Sequence, residues 1–239
     1  MENALITLNL RTSTLPALLL TAAKNDIRPY LNGVCIHAHA GKVFLISTDG
    51  HRATVYDATR DVEGDIPADG QWIVPTEFLK GIKTGKTPYE KPLHVQINKT
   101  HVQVSFFDAT YSAALVDWTY PTDNLLHRFL GQNLYTLKAD AVRGYLDPEY
   151  VYDALKQTQM IMGRKSKPGL IGQGEDNPVI VTYGHAHWVG VIMPMRGFTQ
   201  AECINTPYLC PVPERSEPCC PAAVSNDAAF ETETKERAE

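Results

Sequence analysis

Cysteine is scarce, and what there is has poor spacing for chemistry. Five occur in 239 residues: Cys35, then Cys203, Cys210, Cys219 and Cys220. An odd count without a secretion signal argues against a disulfide framework. Adjacent Cys219-Cys220, with no Cys-x-x-Cys pair, suits zinc badly, so free thiols are expected. Long apolar runs are missing as well. The longest, Leu15 to Ala23, is interrupted by Pro16 and Thr21 and is too short for a membrane span. The opening MENALITLNL lacks a basic start followed by an apolar core, so no signal peptide is read and a cytoplasmic location is expected. There is no Gly-x-Ser-x-Gly, no phosphate-cradling glycine loop and no His-Glu-x-x-His, so an enzyme is not expected.

An excess of positive charge is lacking too. The chain holds 27 acids and 22 bases; eight acids and three bases fall beyond Phe198, which leaves nineteen of each before it. A neutral body gives no strong global pull on nucleic acid, so such binding needs a local cluster of bases. What the chain does have is ordinary globular composition, 44% hydrophobic and 21% charged.

Patterning organises the first 122 residues. Ile6, Leu8 and Leu10 alternate with Thr7 and Asn9, as in a half-buried strand. A helix comes next, with Ser13 as its cap, Pro16 in its first turn, and Leu15, Leu18, Leu19 and Ala22 on one face. Strands are expected at 34–39, 42–48 and 52–57, then a short apolar run at 72–74 and a helix over 76–83. A hairpin turns at Asn98-Lys99-Thr100, and Ala114, Val116 and Trp118 give one more strand. The result is an α+β unit, antiparallel sheets with helices on one face.

A second unit is expected over 123–198. It holds strands at 134–138 and 142–146, then a helix capped by Asp147 with Pro148 at its first position. Val151, Ala154, Leu155 and Thr158 face inward. A long mobile loop is expected over 163–178, then strands at 179–183 and 187–193. Its helix-then-hairpin order echoes residues 75–118. Residues 199–239 read as an acidic, largely disordered tail.

Three clusters invite chemistry. His37 and His39, and likewise His185 and His187, are two apart, so each pair can share a strand face, with Cys35 beside the first. That describes a metal-dependent hydrolase; the plainer reading leaves His37 and His39 on the solvent side, opposite Val34, Ile36 and Ala38. Bases gather on and after the helices: Lys24; Lys80, Lys83 and Lys86; Lys156, Arg164, Lys165 and Lys167. They suit the helix dipole or a phosphate backbone about equally. Last, His51 and Arg52 come directly after an Asp49-Gly50 corner and stand at a strand mouth.

The third cluster carries a resemblance. RPYLNGVCIHAHAGKVFLISTDGHRATVYD (28–57) is similar to the central domain of the bacterial DNA polymerase III beta subunit, the sliding clamp, through Tyr30-Leu31-Asn32-Gly33 and Thr48-Asp49-Gly50-His51-Arg52. WIVPTEFLKGI (72–82) resembles that domain's next strand and helix, and the strands from Leu93 to the Tyr120-Pro121 exit resemble its closing strands. YLDPEYVYDAL (145–155) and VIMPMR (191–196) resemble the second half of the family's last domain.

The resemblance implies a DNA-clamp-like fold: one complete clamp unit, 1–122, and a shortened second one, 123–198, in a divergent member that lacks the family's first domain. It implies a DNA replication accessory, or processivity, factor without cofactor or metal. The implied partners are peptides of DNA polymerases and the clamp loader, double-stranded DNA, and further copies of the chain. One wall of the peptide groove would be Thr48, Gly50, His51, Arg52 and Ala53, with Pro121 at the junction. The other would be Tyr150, Val191, Ile192, Met193, Pro194, Met195 and Arg196. Methionine adapts to varied side chains, proline fixes the backbone, and His51 and Arg52 would supply polar rim contacts. Lys24, Lys80, Lys83, Lys156 and Arg164 are the candidate DNA contacts. Three departures stand out: Ala53 where the family has Leu, Asp147 where it often has Asn, and 43 residues after Arg196. A regulator or decoy that binds partners without encircling DNA is the alternative implied role.

Overall fold

Alternation of apolar residues builds the strands, and two sheets result. The computed structural model describes residues 4–66, 68–82, 92–122, 145–163, 165–172 and 177–195. In β1 (Ile6–Arg11) Ile6, Leu8 and Leu10 are buried while Thr7 and Asn9 are half-buried. It runs antiparallel to β6 (Pro92–Ile97), which continues into β7 (His101–Phe106) and β8 (Ala109–Ala114). This four-stranded sheet has the order β1-β6-β7-β8. The second sheet has seven strands: β2 (Gly33–His39), β3 (Lys42–Thr48), β4 (Arg52–Asp57), β5 (Gly70–Pro75), β9 (Gly169–Ile171), β10 (Val179–Thr182) and β11 (Trp188–Ile192). Its order is β5-β2-β3-β4-β11-β10-β9.

Three helices pack together, with α1 (Thr14–Leu19) against both α2 (Thr76–Gly81) and α3 (Pro148–Met162). The first 122 residues are an internal repeat of strand, helix and three strands. In each copy the first strand crosses into the sheet of the other: β1 joins β6, and β5 joins β2. The final part, α3-β9-β10-β11, repeats the order α2-β6-β7-β8, as the helix-then-hairpin echo suggests. It does not stand apart. β11 pairs with β4 from Trp188↔Tyr56 to Ile192↔Arg52, so one sheet runs through both parts, and Met1–Phe198 form one compact unit.

Two apolar clusters hold the layers. The larger lies between the sheets and helices and includes Leu8, Leu10, Leu18, Ile36, Leu45, Val102, Val104 and Ile161. The smaller lies on the other face of the seven-stranded sheet, where Tyr120 covers Cys35, Ile46, Val55 and Ile73. Both faces of β2 are therefore buried, and His37 with them, rather than facing solvent.

Other details also depart from the sequence reading. Ser13 stands at the N-cap of α1, but its side chain makes no capping bond. Asp147 does cap α3, accepting from Glu149 N at 2.8 Å. The buried face of α3 is Ala154, Gln157, Thr158 and Ile161, with Val151 and Leu155 only half-buried. The strand expected around Ala114 begins earlier, at Ala109; Val116 instead bridges Ile73, and Trp118 is exposed. The stretch expected as a loop over 163–178 contains β9. The expected strand at 134–138 and the tail lie outside the described residues; so does 142–146 apart from Tyr145 and Leu146.

Polar groups lock the seam between β4 and β11. Tyr183 Oη donates to Gln157 Oε1 at 2.7 Å and lies 3.2 Å from Thr54 Oγ1. Gln157 Nε2 donates onward to Thr54 Oγ1 and to the carbonyl of Ala17. Burial pushes the Tyr183 phenol above its ordinary pKa, so it stays a donor. Gly190, opposite Thr54, leaves the space this ring needs: a Cβ there would meet Tyr183 Oη at 2.4 Å. Gly190→Ala is expected to cost about 2–3 kcal/mol by overpacking and loss of this network. Urea denaturation measures it, and adding Tyr183→Phe should restore only the part due to the clash.

Candidate peptide-binding site at the strand seam

The Asp49-Gly50 corner is built by its own side chains. Thr48 Oγ1 donates to the carbonyl of Arg52 and accepts from Gly50 N, while Asp49 Oδ1 accepts from the backbones of His51 and Arg52. Gly50 has φ +96°, a conformation that favours glycine. Arg28 closes in beside it, with its Nη2 3.2 Å from where a Gly50 Cβ would be. That arginine is held by Asp26, whose carboxyl it keeps down at about 2 by hydrogen bonding.

The corner meets the VIMPMR segment directly. Beyond the last strand pair, Ile192↔Arg52, Met193 N donates to the carbonyl of His51 at 2.8 Å. Met195 then pairs with Tyr145, its N donating to the Tyr145 carbonyl at 2.7 Å. The two motifs, far apart in the chain, are thus joined by main-chain bonds.

Strand alternation divides the expected wall residues between two faces. Ala53 lies opposite Thr48 and Val191, on the face that Tyr120 covers. Arg52 and Ile192 point to the helix face. Thr48, Arg52, Ala53, Val191 and Ile192 are all buried. Pro121, Tyr150, Met193 and Pro194 are half-buried, and Gly50, His51 and Met195 are exposed. The surface offered to a ligand therefore comes from these last seven. Arg196 lies outside the described residues.

Arg52 is a clasp between elements rather than a rim contact. Its Nε donates to Asp49 Oδ2, Nη1 to Asp153 Oδ2 and Nη2 to the carbonyl of Leu20, each at 2.9 Å. Its guanidinium sits 4.3 Å from the centre of the Tyr150 ring. Burial opposes the charge, but the bonds to Asp49 and Asp153 outweigh it and raise the Arg52 pKa. One side chain thus ties the β3–β4 corner to the end of α1 and to α3.

The remaining candidates are scattered. Lys24 is exposed just after α1. Lys80 pairs with Glu77 at 2.6 Å; Lys156 lies over the Tyr152 ring and 3.5 Å from Asp153. Lys83 and Arg164 lie outside the described residues. His37 stacks on His39, whose Nδ1 is 2.8 Å from Asp69, and His187 is 4.0 Å from Asp57. Among the described residues no three His, Cys, Asp or Glu side chains group to hold a metal, and nothing supports the hydrolase reading. Cys35 is fully buried, which pushes its thiol pKa far up. Among the described residues no helix is long and apolar enough to cross a membrane.

Comparison with known proteins finds one family. Residues 9–122 match the family profile described as the DNA polymerase III beta subunit, central domain. That stretch of the chain is similar to the central domain of the beta sliding clamp family. Over 99 residues it is 29% identical to the beta sliding clamp of Salmonella typhimurium, covering 41% of this chain and 26% of that protein. Over 120 residues it is 27% identical to the Pseudomonas putida clamp, covering 48% and 32%. The matched stretch thus spans about a quarter to a third of these relatives. The fold extends further than the sequence match. A Pseudomonas aeruginosa sliding clamp structure superposes with a TM-score of 0.55 at 15% identity, covering 82% of this chain and 68% of that one. A Bacillus subtilis sliding clamp gives 0.58 at 15%, covering 80% and 64%.

Two residues at the seam lie outside the quoted motifs, Gln157 and Tyr183; Thr54, Tyr145 and Asp153 lie within matched stretches that do not announce their roles. Asp153 has one usable signal, its i+3 spacing from Tyr150, which sets both on one side of α3. Arg52→Ala is expected to lose about 3 kcal/mol or more, since it leaves Asp49 and Asp153 without their partner. Arg52→Lys should recover less than half, because an ammonium cannot reach both carboxylates and the Leu20 carbonyl together. Thermal and urea unfolding of the two variants check this.

Proposed function

We propose that this protein is a non-catalytic replication accessory factor of the sliding-clamp type, acting in the cytoplasm. It tethers partner proteins by short peptide segments at the β4–β11 seam. The observation that carries this reading is the Met193–His51 main-chain bond, which brings the Asp-Gly-His-Arg corner and the Met-Pro-Met segment together. Met195 and Tyr145, both large and about half exposed, flank that junction. An apolar, methionine-bearing surface with a polar corner suits a peptide that offers hydrophobic side chains and main-chain groups. The domain division at residues 122 and 198 is part of the same reading: one clamp unit, half of another, then an acidic extension. Assembly of several copies belongs to it as well.

A second reading, a regulator that takes the same peptides without gripping DNA, is favoured by the helix lysines. Lys80 and Lys156 each have an acidic neighbour within 3.5 Å, which lowers the local positive potential. Two titrations separate the readings. A fluorescent peptide from the clamp-binding segment of a bacterial replicative polymerase should bind the full chain, and Met195→Asp should weaken it about tenfold, ~1.4 kcal/mol. A labelled DNA duplex should bind with an affinity that falls steeply as salt rises, and Lys24→Glu with Lys80→Glu should abolish it. Peptide binding without DNA binding selects the regulator; failure of the peptide at any salt removes both.

A further inference from the structure

Pro121 belongs to the seam surface, yet it has no N–H with which to fix itself, so the residues on either side must place it. Those residues lie beyond β8, in a stretch held to the sheet at Val116, which bridges Ile73. Both neighbours are nonetheless locked. Tyr120 and Thr122 are each 1% exposed, while Pro121 between them is half-buried. Thr122 N donates to the carbonyl of Tyr120 at 2.8 Å. That bond closes a three-residue turn with Pro121 at its apex, and the φ fixed by a proline ring suits an inverse γ-turn.

One side chain brackets this turn. Gln71 lies in β5 opposite His37, on the same face as Ile73, which is the face that Tyr120 covers. Its Oε1 accepts from Tyr120 N at 3.0 Å, and its Nε2 donates to Thr122 Oγ1 at 2.8 Å. Both ends of the amide are thus used on the residues directly before and after Pro121. Beneath the turn, the Tyr120 ring meets Tyr30 edge-on at 6.3 Å and reaches the main chain of Thr48. Thr48 belongs to the corner whose His51 carbonyl accepts from Met193 N. The turn is therefore set against the corner as well as against β5.

We infer that Gln71 is a positioning residue for the peptide surface. By holding the Tyr120-Pro121-Thr122 turn from both sides, it makes Pro121 a rigid wall against which an apolar side chain of the bound peptide packs. This rests on the reading of the seam as a site of peptide capture. The physical gain is preorganisation. Met193 and Met195 adapt to a ligand and lose rotamer freedom as they do. A wall that the fold already holds loses none on binding, so its contacts count in full. Gln71 acts through the turn alone, since its two polar groups are both engaged there.

The fluorescent polymerase peptide, titrated into the full chain, tests this. Gln71→Met keeps the bulk of the side chain and removes both bonds. It should weaken the peptide about five- to tenfold, chiefly through faster release. Pro121→Ala should weaken it by a similar factor, and the double variant no further than either alone, because the two act at one place. A general loosening of the fold would instead add to the Pro121→Ala loss. Should Gln71→Met fail to fold, Thr122→Val, which loses the Nε2 bond only, takes its place with a loss of about threefold. Undiminished affinity in a folded variant, or losses from the position-71 or position-122 variant and Pro121→Ala that multiply, overturn the inference and leave peptide capture standing. Absence of binding by the unaltered chain removes peptide capture and the inference with it.

Discussion

The pairing of β4 with β11 is the constraint on which the rest depends. It merges a complete repeat and a half repeat into one sheet, and it brings two segments remote in sequence into main-chain contact. Apolar strand pairs alone specify such a seam poorly, since slipping by one residue would exchange the faces of every β11 side chain. What fixes the register is polar. Thr54 must meet Gln157 and Tyr183, and Tyr183 reaches them only above Gly190. Arg52 repeats the logic two pairs along, with donors satisfied by Asp49, Asp153 and Leu20 at once. Buried polar groups cost desolvation, so they favour the single arrangement in which all find partners.

Much of this fold is legible in the sequence because its strands are rich in apolar and β-branched residues and bounded by strong turns. β2, β3 and β4 fall within a residue of the spans that alternation marks, with Gly41 and Gly50 at the corners. Asp147-Pro148 announces α3 by capping chemistry, and the structure shows the capping bond. β8 starts earlier than its pattern suggests because Tyr111, Ala113 and Ala114 give little apolar contrast. Val116 and Trp118 look like a strand and instead belong to the exit toward Tyr120. β9 escapes a reading by pattern because three residues flanked by glycine and lysine show no period at all.

The site is legible as two motifs but not as a surface. Their meeting is implied by the family pattern and is present in the strand register. Which side chains remain accessible is not implied, because a motif reads as a continuous wall while a strand alternates. Alternation sends Arg52 and Ile192 to the helices, and Tyr120 covers the face that holds Val55. The seam residues Gln157 and Tyr183 carry no local signal, and Asp153 only its spacing from Tyr150, since their roles exist only when α3 lies across β4.

The accessible surface at the seam is divided between elements: Gly50 and His51 belong to the β3–β4 corner, Met193 to Met195 come after β11, and Tyr150 lies on α3. A ligand that used this surface would contact all three, so its affinity would depend on their relative placement as much as on any single contact. Arg52 sets that placement from beneath. It bonds the corner through Asp49 and the helix through Asp153, and it lies under Tyr150, itself half-buried at the surface. An arginine conspicuous in the sequence as part of a motif thus contributes most where a ligand cannot touch it.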